Sequence, residues 1–372
     1  MNRNIGILLS IVLIVIGVAG AVNIVMHGED VMGTTSEVPW GILISGYEYF
    51  VGISTGLLLV ASLGYVFNFA PIKAIGKTLV MLSVFTMFSA FAVLLIELGN
   101  PLNMYQYFIT PNPMSPIWWM APLYSTYLVL LLALLYFVLI KDEKKIKLFA
   151  SLTAVAAIVS LINIGFLFGF LNARPYWNGP FGPVYFVVTA FLSGISFAAI
   201  LAHFQGKREE ISSLTTDAIR KLYIASIVVV ALMVATKIMT KLYGAASGKS
   251  DAVMSFINGP LSFNFWTFEV LIGLAVPFAI LLISRNSGAV ALAGIMSLIG
   301  LLFMRIDMVV AGQLTPLKLV YGGAKEVAYH TYTALWSEWA LIIGAVGITL
   351  FLYFLKEKLE STVKGIIKKS AA

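Results

Sequence analysis

Residues 117–140 read IWWMAPLYSTYLVLLLALLYFVLI, residues 141–147 read KDEKKIK, and residues 148–172 read LFASLTAVAAIVSLINIGFLFGFLN. A bilayer core is crossed by roughly 20 apolar residues in a helix, so each long run spans once. The seven residues between them are too few and too basic for anything but a turn at the surface. This is a helical hairpin through a membrane. Of the 372 residues, 60% are apolar and 11% are charged, against about 25% charged in an ordinary soluble chain. A water-soluble enzyme is excluded by that balance. Similar runs fall at about 5–25, 40–67, 78–98, 117–140, 148–172, 183–204, 220–243, 263–284, 288–312 and 334–355. The fold class is therefore an all-α polytopic membrane protein with about ten transmembrane helices.

Charge placement orients it. Arg3, Lys73, Lys77, Lys141, Lys144, Lys145, Lys147, Lys207, Arg208, Arg220, Lys221 and Arg285 fall on one set of connections and adjoining helix ends. With Lys356, Lys358, Lys364, Lys368 and Lys369 of the tail, they make 17 of the 24 Lys and Arg residues. All lie on one side of ten spans, which the positive-inside rule makes the cytoplasm, with both termini there. The net charge of +7 thus reports topology and not a nucleic-acid partner. Arg3 and Ala19-Gly20-Ala21 mimic a signal peptide, but the apolar stretch of about 21 residues exceeds the usual 7–15. An uncleaved first helix is expected. The outer connections 99–116, 173–182, 244–262 and 313–332 are rich in Pro, Gly, Asn, Tyr and Trp, suited to ordered segments at headgroup level.

Eight ionisable residues fall within the spans: Glu48, Glu97, Lys237, Lys241, Glu269, Arg305, Asp307 and Glu338. Each costs roughly 2.5–3.5 kcal/mol at a helix centre on the lenient scale. At 1.5 Å per residue, Glu48 lies about 12 Å from its outer end, Arg305 about 10 Å, and Lys237 and Glu269 about 9 Å. All eight belong to the outer half. Glu97 and Lys241 sit at the boundary, where snorkelling is the simpler account. Arg305 and Asp307 could also form a structural pair. Lys237 and Lys241 share a helical face, which is expected to look at acids or an anionic head. Glu48, Gly52 and Gly56 share another, a small-residue stripe that allows close packing below the acid. Asn163, about 13 Å deep, could be a neutral hydrogen-bonder at similar depth or a plain interhelical bond. A faint echo links Phe50-Val51-Gly52-Ile53-Ser54 to Phe191-Leu192-Ser193-Gly194-Ile195-Ser196. It suggests two four-helix bundles, spans 2–5 and 6–9, with one flanking helix at each chain end.

Zero cysteines exclude disulfides and cysteine-ligated iron–sulfur clusters from this chain,. Three histidines, His27, His203 and His330, argue against a haem- or metal-rich protein.

Two outer segments are more specific. One runs Glu97-Leu98-Gly99-Asn100-Pro101, then Thr110-Pro111-Asn112-Pro113-Met114-Ser115-Pro116, into Trp118-Trp119. The other is Asn172-Ala173-Arg174-Pro175-Tyr176-Trp177-Asn178-Gly179-Pro180, followed by Phe186 and Phe191-Leu192-Ser193-Gly194. Phe265-Trp266-Thr267-Phe268-Glu269 with Gly273 and Pro277, and Arg305 leading to Val309-Val310-Ala311-Gly312-Gln313 and Pro316, support them. Over roughly residues 38–350 the chain resembles the NrfD/PsrC family of polysulfide-reductase-like membrane subunits, in its longer ten-helix branch.

The resemblance implies a subunit that binds a menaquinone-like quinone as substrate and carries no haem, iron–sulfur cluster or metal itself. It implies an outer-face, ferredoxin-like iron–sulfur subunit and a catalytic partner: a molybdopterin oxidoreductase, a hydrogenase or a multihaem cytochrome. Sulfur, polysulfide or hydrogen metabolism would follow. The expected organisation is a single membrane domain, 1–372. It comprises an N-terminal extra helix at 5–25, a first bundle at 38–172 with the quinone site, a second bundle at 173–312, and an outer loop, last helix and basic tail at 313–372.

Where some relatives are thought to use a His near the quinone ring, span two offers Tyr47, Glu48 and Tyr49. The candidate quinone group is Tyr47, Glu48, Tyr49, Glu97, Asn163, Arg174 and Tyr176. Glu48 would exchange protons, Tyr47 or Asn163 would bond a carbonyl, and Arg174 would orient the rim loop or join a loop salt bridge. Lys237, Lys241, Glu269, Arg305, Asp307 and Glu338 form the candidate proton-transfer or polar cluster. A secondary transporter built on an internal duplication is the competing class, although its charges should lie near the midplane. A passive anchor would not need eight intramembrane charges.

Overall fold

The computed structural model describes residues 3–206, 213–243, 249–316 and 328–370. Lys207 and Arg208 lie outside the described residues, as do 244–248 and 317–327 of the outer connections and the side chains of Lys368 and Lys369. Ten helices are long and apolar enough to cross a membrane, and no strand occurs among the described residues. They are α1 Arg3–His27, α2 Ile42–Tyr65, α3 Gly76–Glu97, α4 Pro116–Ile140 and α5 Glu143–Gly169. The other five are α6 Phe181–Gly206, α7 Ser213–Tyr243, α8 Asn264–Ile283, α9 Ser287–Leu314 and α10 Trp336–Ser370. The protein is a multi-pass integral membrane protein.

Between α4 and α5 the turn is shorter than the polar run suggests. Lys141 takes a left-handed conformation (φ 61°) and ends α4. Asp142 then caps α5, its carboxylate accepting the Lys145 amide at 3.1 Å. That bond holds the Asp142 carboxyl below the usual carboxylate range. The last helix is longer than the expected 334–355, because Lys and Glu in the tail favour helix. The i,i+4 pair Glu360–Lys364, at 2.7 Å, braces it,.

Helices α2, α3, α4 and α5 form one ring of contacts, and α6, α7, α8 and α9 a second. The rings join where α6 and α9 pack on α2, with α6 also touching α5. The two end helices lie together: α1 packs along α10, and α10 packs on α3. Gly17 and Gly344 let these two backbones touch, since a Cβ on either would lie 2.6 Å from the other's Cα.

The joint between the rings is made by the small-residue stripe. A Cβ at Gly56 would overlap the Ala190 carbonyl, and one at Gly194 would overlap Gly56. Ser193 donates to the Gly52 carbonyl at 3.0 Å. The two echoed segments, 50–54 and 191–196, therefore pack on one another across this joint. Replacing Gly56 by Val inserts three carbons where backbone already sits, and overpacking of that kind costs about 1–3 kcal/mol or more. Gly56→Val should lower the thermal midpoint of the detergent-solubilised protein or abolish its accumulation. Gly365→Ala, with nothing within 4 Å, should leave both unchanged.

Candidate functional site

Almost every side chain of α2 is buried by its neighbours, so a carboxyl group there has no route to water by bending. Glu48 is 2% exposed, and its Oε2 has no hydrogen-bond partner. One turn below, Gly52 leaves space that Arg305 of α9 fills: a Cβ on Gly52 would lie 3.5 Å from Nη2. Arg305 is 3% exposed. Its Nη2 donates to Thr189 Oγ1 at 2.7 Å, and the guanidinium lies 4.3 Å from the Phe186 ring centre. Its Nη1 has no partner. Glu48 and Arg305 feel each other's charge without forming a direct ion pair. Tyr124 of α4 is electrostatically coupled to both. Its buried hydroxyl lies toward that of Tyr47 but makes no hydrogen bond of regular geometry. The Tyr47 and Tyr124 rings meet edge to face with centres 6.0 Å apart.

Three buried polar atoms without regular hydrogen bonds, from α2, α4 and α9, thus lie in one neighbourhood. Buried groups of this kind normally find partners, and exceptions ask for an explanation. An acceptor, a hydroxyl and a cationic donor, all buried, have the chemistry to hold a small polar ligand and exchange a proton with it.

Above this cluster the outer side is closed by aromatic rings. Trp40 stacks on Trp177 at 5.6 Å, and Phe168 sits edge-on to both. Trp177 donates to the Met308 carbonyl at 2.7 Å. Gln313 clamps Trp40, accepting its amide at 3.0 Å and donating to its carbonyl at 2.8 Å.

The second polar cluster lies in the α6–α9 ring. Lys237 donates to the Tyr176 hydroxyl and to Met308 Sδ, and lies over the Tyr176 ring. Burial, then neighbouring Tyr185, hold the Tyr176 phenol well above its ordinary pKa. Glu269 and Asp307 lie close to each other, and Asp307 Oδ2 is buried with no hydrogen-bond partner. Asn264 donates to Asp307 Oδ1 at 3.3 Å. A cavity of about 20 Å³ opens between Lys237, Glu269, Tyr176 and Tyr185, enough for one water. Glu269 rides on a π-helical stretch, Asn264–Ala275, just before Pro277. Such wide turns recur at functional sites. Pro277 has no N–H to offer the Gly273 carbonyl, which accepts the Ser297 hydroxyl at 2.7 Å instead.

Tyr185 connects the clusters. Its ring centre is 5.4 Å from the Arg305 guanidinium carbon and 5.4 Å from the Lys237 ammonium.

The structure regroups the residues singled out in the sequence. Tyr47 and Glu48 stay together, joined by Arg305, which the sequence reading places with the second cluster. Arg305 and Asp307 do not pair: two positions apart on one helix, they point to different neighbours. Tyr176 belongs with Lys237 and not with Glu48. Tyr49 packs against Phe50. Asn163 makes an interhelical bond, donating to the Pro116 carbonyl at 3.0 Å. Arg174 donates to the Gln313 carbonyl at 3.3 Å, on the outer loop. Lys241 donates to the carbonyls of Pro175 and Asn178, both at 2.9 Å, and so anchors that loop. Glu97 lies near Glu338 and Glu29, and its Oε2 is buried with no hydrogen-bond partner. Glu338 accepts from the Gly33 and Leu335 amides and the Tyr332 hydroxyl at 2.7–2.9 Å, which ties the outer connections to α10.

Tyr124, Tyr185 and Thr189 escape sequence reading, because single Tyr and Thr residues in apolar helices carry no positional signal. The π-helical stretch has one cue, the proline that follows it. Thr189→Val removes the acceptor of the Arg305 bond and should lower stability by about 1–2 kcal/mol, the scale of a polar contact between membrane helices. Thr189→Ser should restore most of it. Thermal unfolding of the purified protein checks both.

Comparison with known proteins adds the lineage. Residues 30–317 match the family described as polysulphide reductase, NrfD. A selenate reductase subunit of Mesobacillus selenatarsenatis is 23% identical, with 92% of this chain and 91% of that protein covered. The Hdr-like menaquinol oxidoreductase integral membrane subunit of Archaeoglobus fulgidus is 26% identical, covering 91% and 88%. A putative dimethyl sulfoxide reductase membrane subunit of Halobacterium salinarum is 24% identical, covering 90% and 86%. With a family match over most of its length and all ten helices in place, the chain belongs to the polysulphide reductase NrfD family.

Proposed function

We propose that this protein is the quinone-reactive membrane subunit of a respiratory oxidoreductase complex. The observation that carries the reading is that Glu48 Oε2, the Tyr124 hydroxyl and Arg305 Nη1 are all buried without regular hydrogen bonds, on residues within charge-interaction range of one another. These residues fit a quinone headgroup, which presents two oxygens that need hydrogen-bond partners and exchange protons. The names of the relatives, which include a menaquinol oxidoreductase subunit and two reductase subunits, support the same class.

When bound, the quinone supplies the two-electron, two-proton chemistry. Glu48 then gives or takes a proton at Oε2, and Tyr124 bonds the neighbouring oxygen. Arg305, oriented by Thr189 and the Phe186 face, balances negative charge. Tyr185, Lys237 and the Glu269–Asp307 pair continue the polar path into the second ring, where a water-sized space allows protons to pass. Electrons arrive from or leave to an outer-face iron–sulfur subunit, backed by a catalytic subunit such as a molybdopterin oxidoreductase, hydrogenase or multihaem cytochrome. Sulfur-compound or hydrogen metabolism fits that assembly. The basic faces of the helical turns support cytoplasmic termini and partners on the outer face of the cell membrane.

The test uses the intact complex and a quinol-site inhibitor. Glu48→Gln, Tyr124→Phe and Arg305→Lys should each cut quinol turnover at least about tenfold, which is 1.4 kcal/mol or more of transition-state stabilisation. The inhibitor should bind more weakly to the Tyr124 and Arg305 variants. Unchanged turnover and inhibitor binding in all three, with normal assembly, would overturn the site. Labelling of single cysteines at Lys145 and Glu37, introduced into this cysteine-free chain, checks orientation. Only the exposed Glu37 position should react with an impermeant reagent added outside cells.

A further inference from the structure

From Leu98 to Ile140 the chain contains no Asp, Glu, Lys or Arg. The first part of that run, Leu98–Ser115, is the connection between α3 and α4 on the outer side. The other outer connections carry charge: Glu29, Asp30 and Glu37 in the first, Arg174, Lys249 with Asp251, and Lys318, Lys325 and Glu326 in the rest. A loop bathed in water, or one matched to a charged protein surface, has no reason to lack charge in this way.

Nor is the segment folded to hide its apolar groups. It forms two short helical pieces, Pro101–Tyr105 and Gln106–Ile109. Leu102 is 85% exposed, Phe108 72%, Ile109 69% and Met114 93%. Two tryptophans at the head of α4 pin the backbone. Trp118 donates to the Tyr107 carbonyl at 2.7 Å, and Trp119 donates to the Pro113 carbonyl at 2.9 Å. Irregular backbone beside lipid needs such donors, because hydrocarbon supplies none. Trp itself favours the headgroup level. While its neighbours point outward, Tyr107 is half-buried and lies within electrostatic reach of Tyr47, and so of the Tyr47–Tyr124 pair.

We propose that residues 101–114 form a lip immersed in the outer headgroup layer of the bilayer, with Leu102, Phe108, Ile109 and Met114 in the lipid and Tyr107 as the membrane-facing doorpost of the Glu48 cluster. The occupant of this surface is phospholipid and not a protein subunit. The doorway half of the proposal rests on the quinone reading above. A substrate dissolved in the membrane then enters sideways under the lip, between the end of α3 and the start of α4.

The chain's lack of cysteine makes the first test direct. Leu102→Cys, Phe108→Cys and Met114→Cys, each in the full chain reconstituted in liposomes, carry a fluorophore probed by water-soluble iodide and by lipids with shallow spin labels. Quenching by the shallow spin-labelled lipids, with weak iodide quenching, is the expected result. Strong iodide quenching with none from the lipids overturns the lip. So does shielding from the lipid quenchers when the partner subunits are added, which assigns the surface to a protein instead.

The second test uses the complex. Phe108→Glu should raise KM several-fold for a long-tailed quinol in liposomes while leaving kcat unchanged. A tail-less, water-soluble quinol should show no change. Equal effects on both quinols, or none on either, overturn the doorway while wild-type turnover still upholds the quinone site. Absence of quinol turnover in the wild-type complex overturns the quinone reading and the doorway together, and the quenching result still decides the lip.

Discussion

A guanidinium 3% exposed between two helix bundles is the constraint around which this molecule is arranged. Moving a charge from water into a membrane interior is expensive, so Arg305 must be enclosed by groups that replace its hydration. Thr189 accepts one N–H group, and the faces of Phe186 and Tyr185 lie against the cation. Thr189 in turn donates to the Tyr185 carbonyl at 2.6 Å. Space for the group exists because α2 presents Gly52 at that height and crosses α6 closely at Gly56 and Gly194. A larger residue at the crossing would push the bundles apart and leave the cation in a gap. The glycine contact and the buried charge are one design.

Charge is handled differently on the two sides of the membrane. On the basic face it is neutralised by ion pairs: Arg3–Glu357, Lys73–Glu143, Lys77–Glu360 and Lys221–Asp217. These are solvent-accessible contacts of small energetic value. In the opposite half, the hydrogen bonds and ring contacts of the described cations include neutral groups. Lys237 has a phenol and a thioether, Lys241 has two carbonyls, and Arg305 has a hydroxyl and two rings. Direct pairs would quench the acids and bases against each other. Glu48 Oε2, the Tyr124 hydroxyl and Arg305 Nη1 keep hydrogen-bonding capacity, which the proposed quinone site would use.

The span count, the basic face and the small-residue stripe below Glu48 were all legible from the chain. Each depends on a property that residues carry wherever they are: apolar length, positive charge and side-chain volume. Grouping the polar residues was less legible. The loop motif put Tyr176 with Glu48, and depth put Arg305 with Asp307, since depth along a helix can be counted from sequence. Rotation about the helix axis cannot, because in a membrane both lipid and protein neighbours are apolar and no one-sided apolar stripe marks the inner face. Asn163 shows the same limit: its depth was readable, its partner at Pro116 was not.

The amino-acid order by itself therefore determined that the chain is a ten-helix membrane protein, that its intramembrane charges are concentrated in the half away from its basic face, and that it contains no cysteine with which to hold an iron–sulfur cluster. Tertiary structure decided which of those charges meet. It paired α1 with α10, set the two echoed segments face to face, and carried Arg305 across the joint to Glu48 and Tyr124. The reason is physical. Insertion into a bilayer selects for length and hydrophobicity, which are sums along the chain, whereas a buried polar site depends on contacts between residues far apart in it, which only close packing of the helices creates.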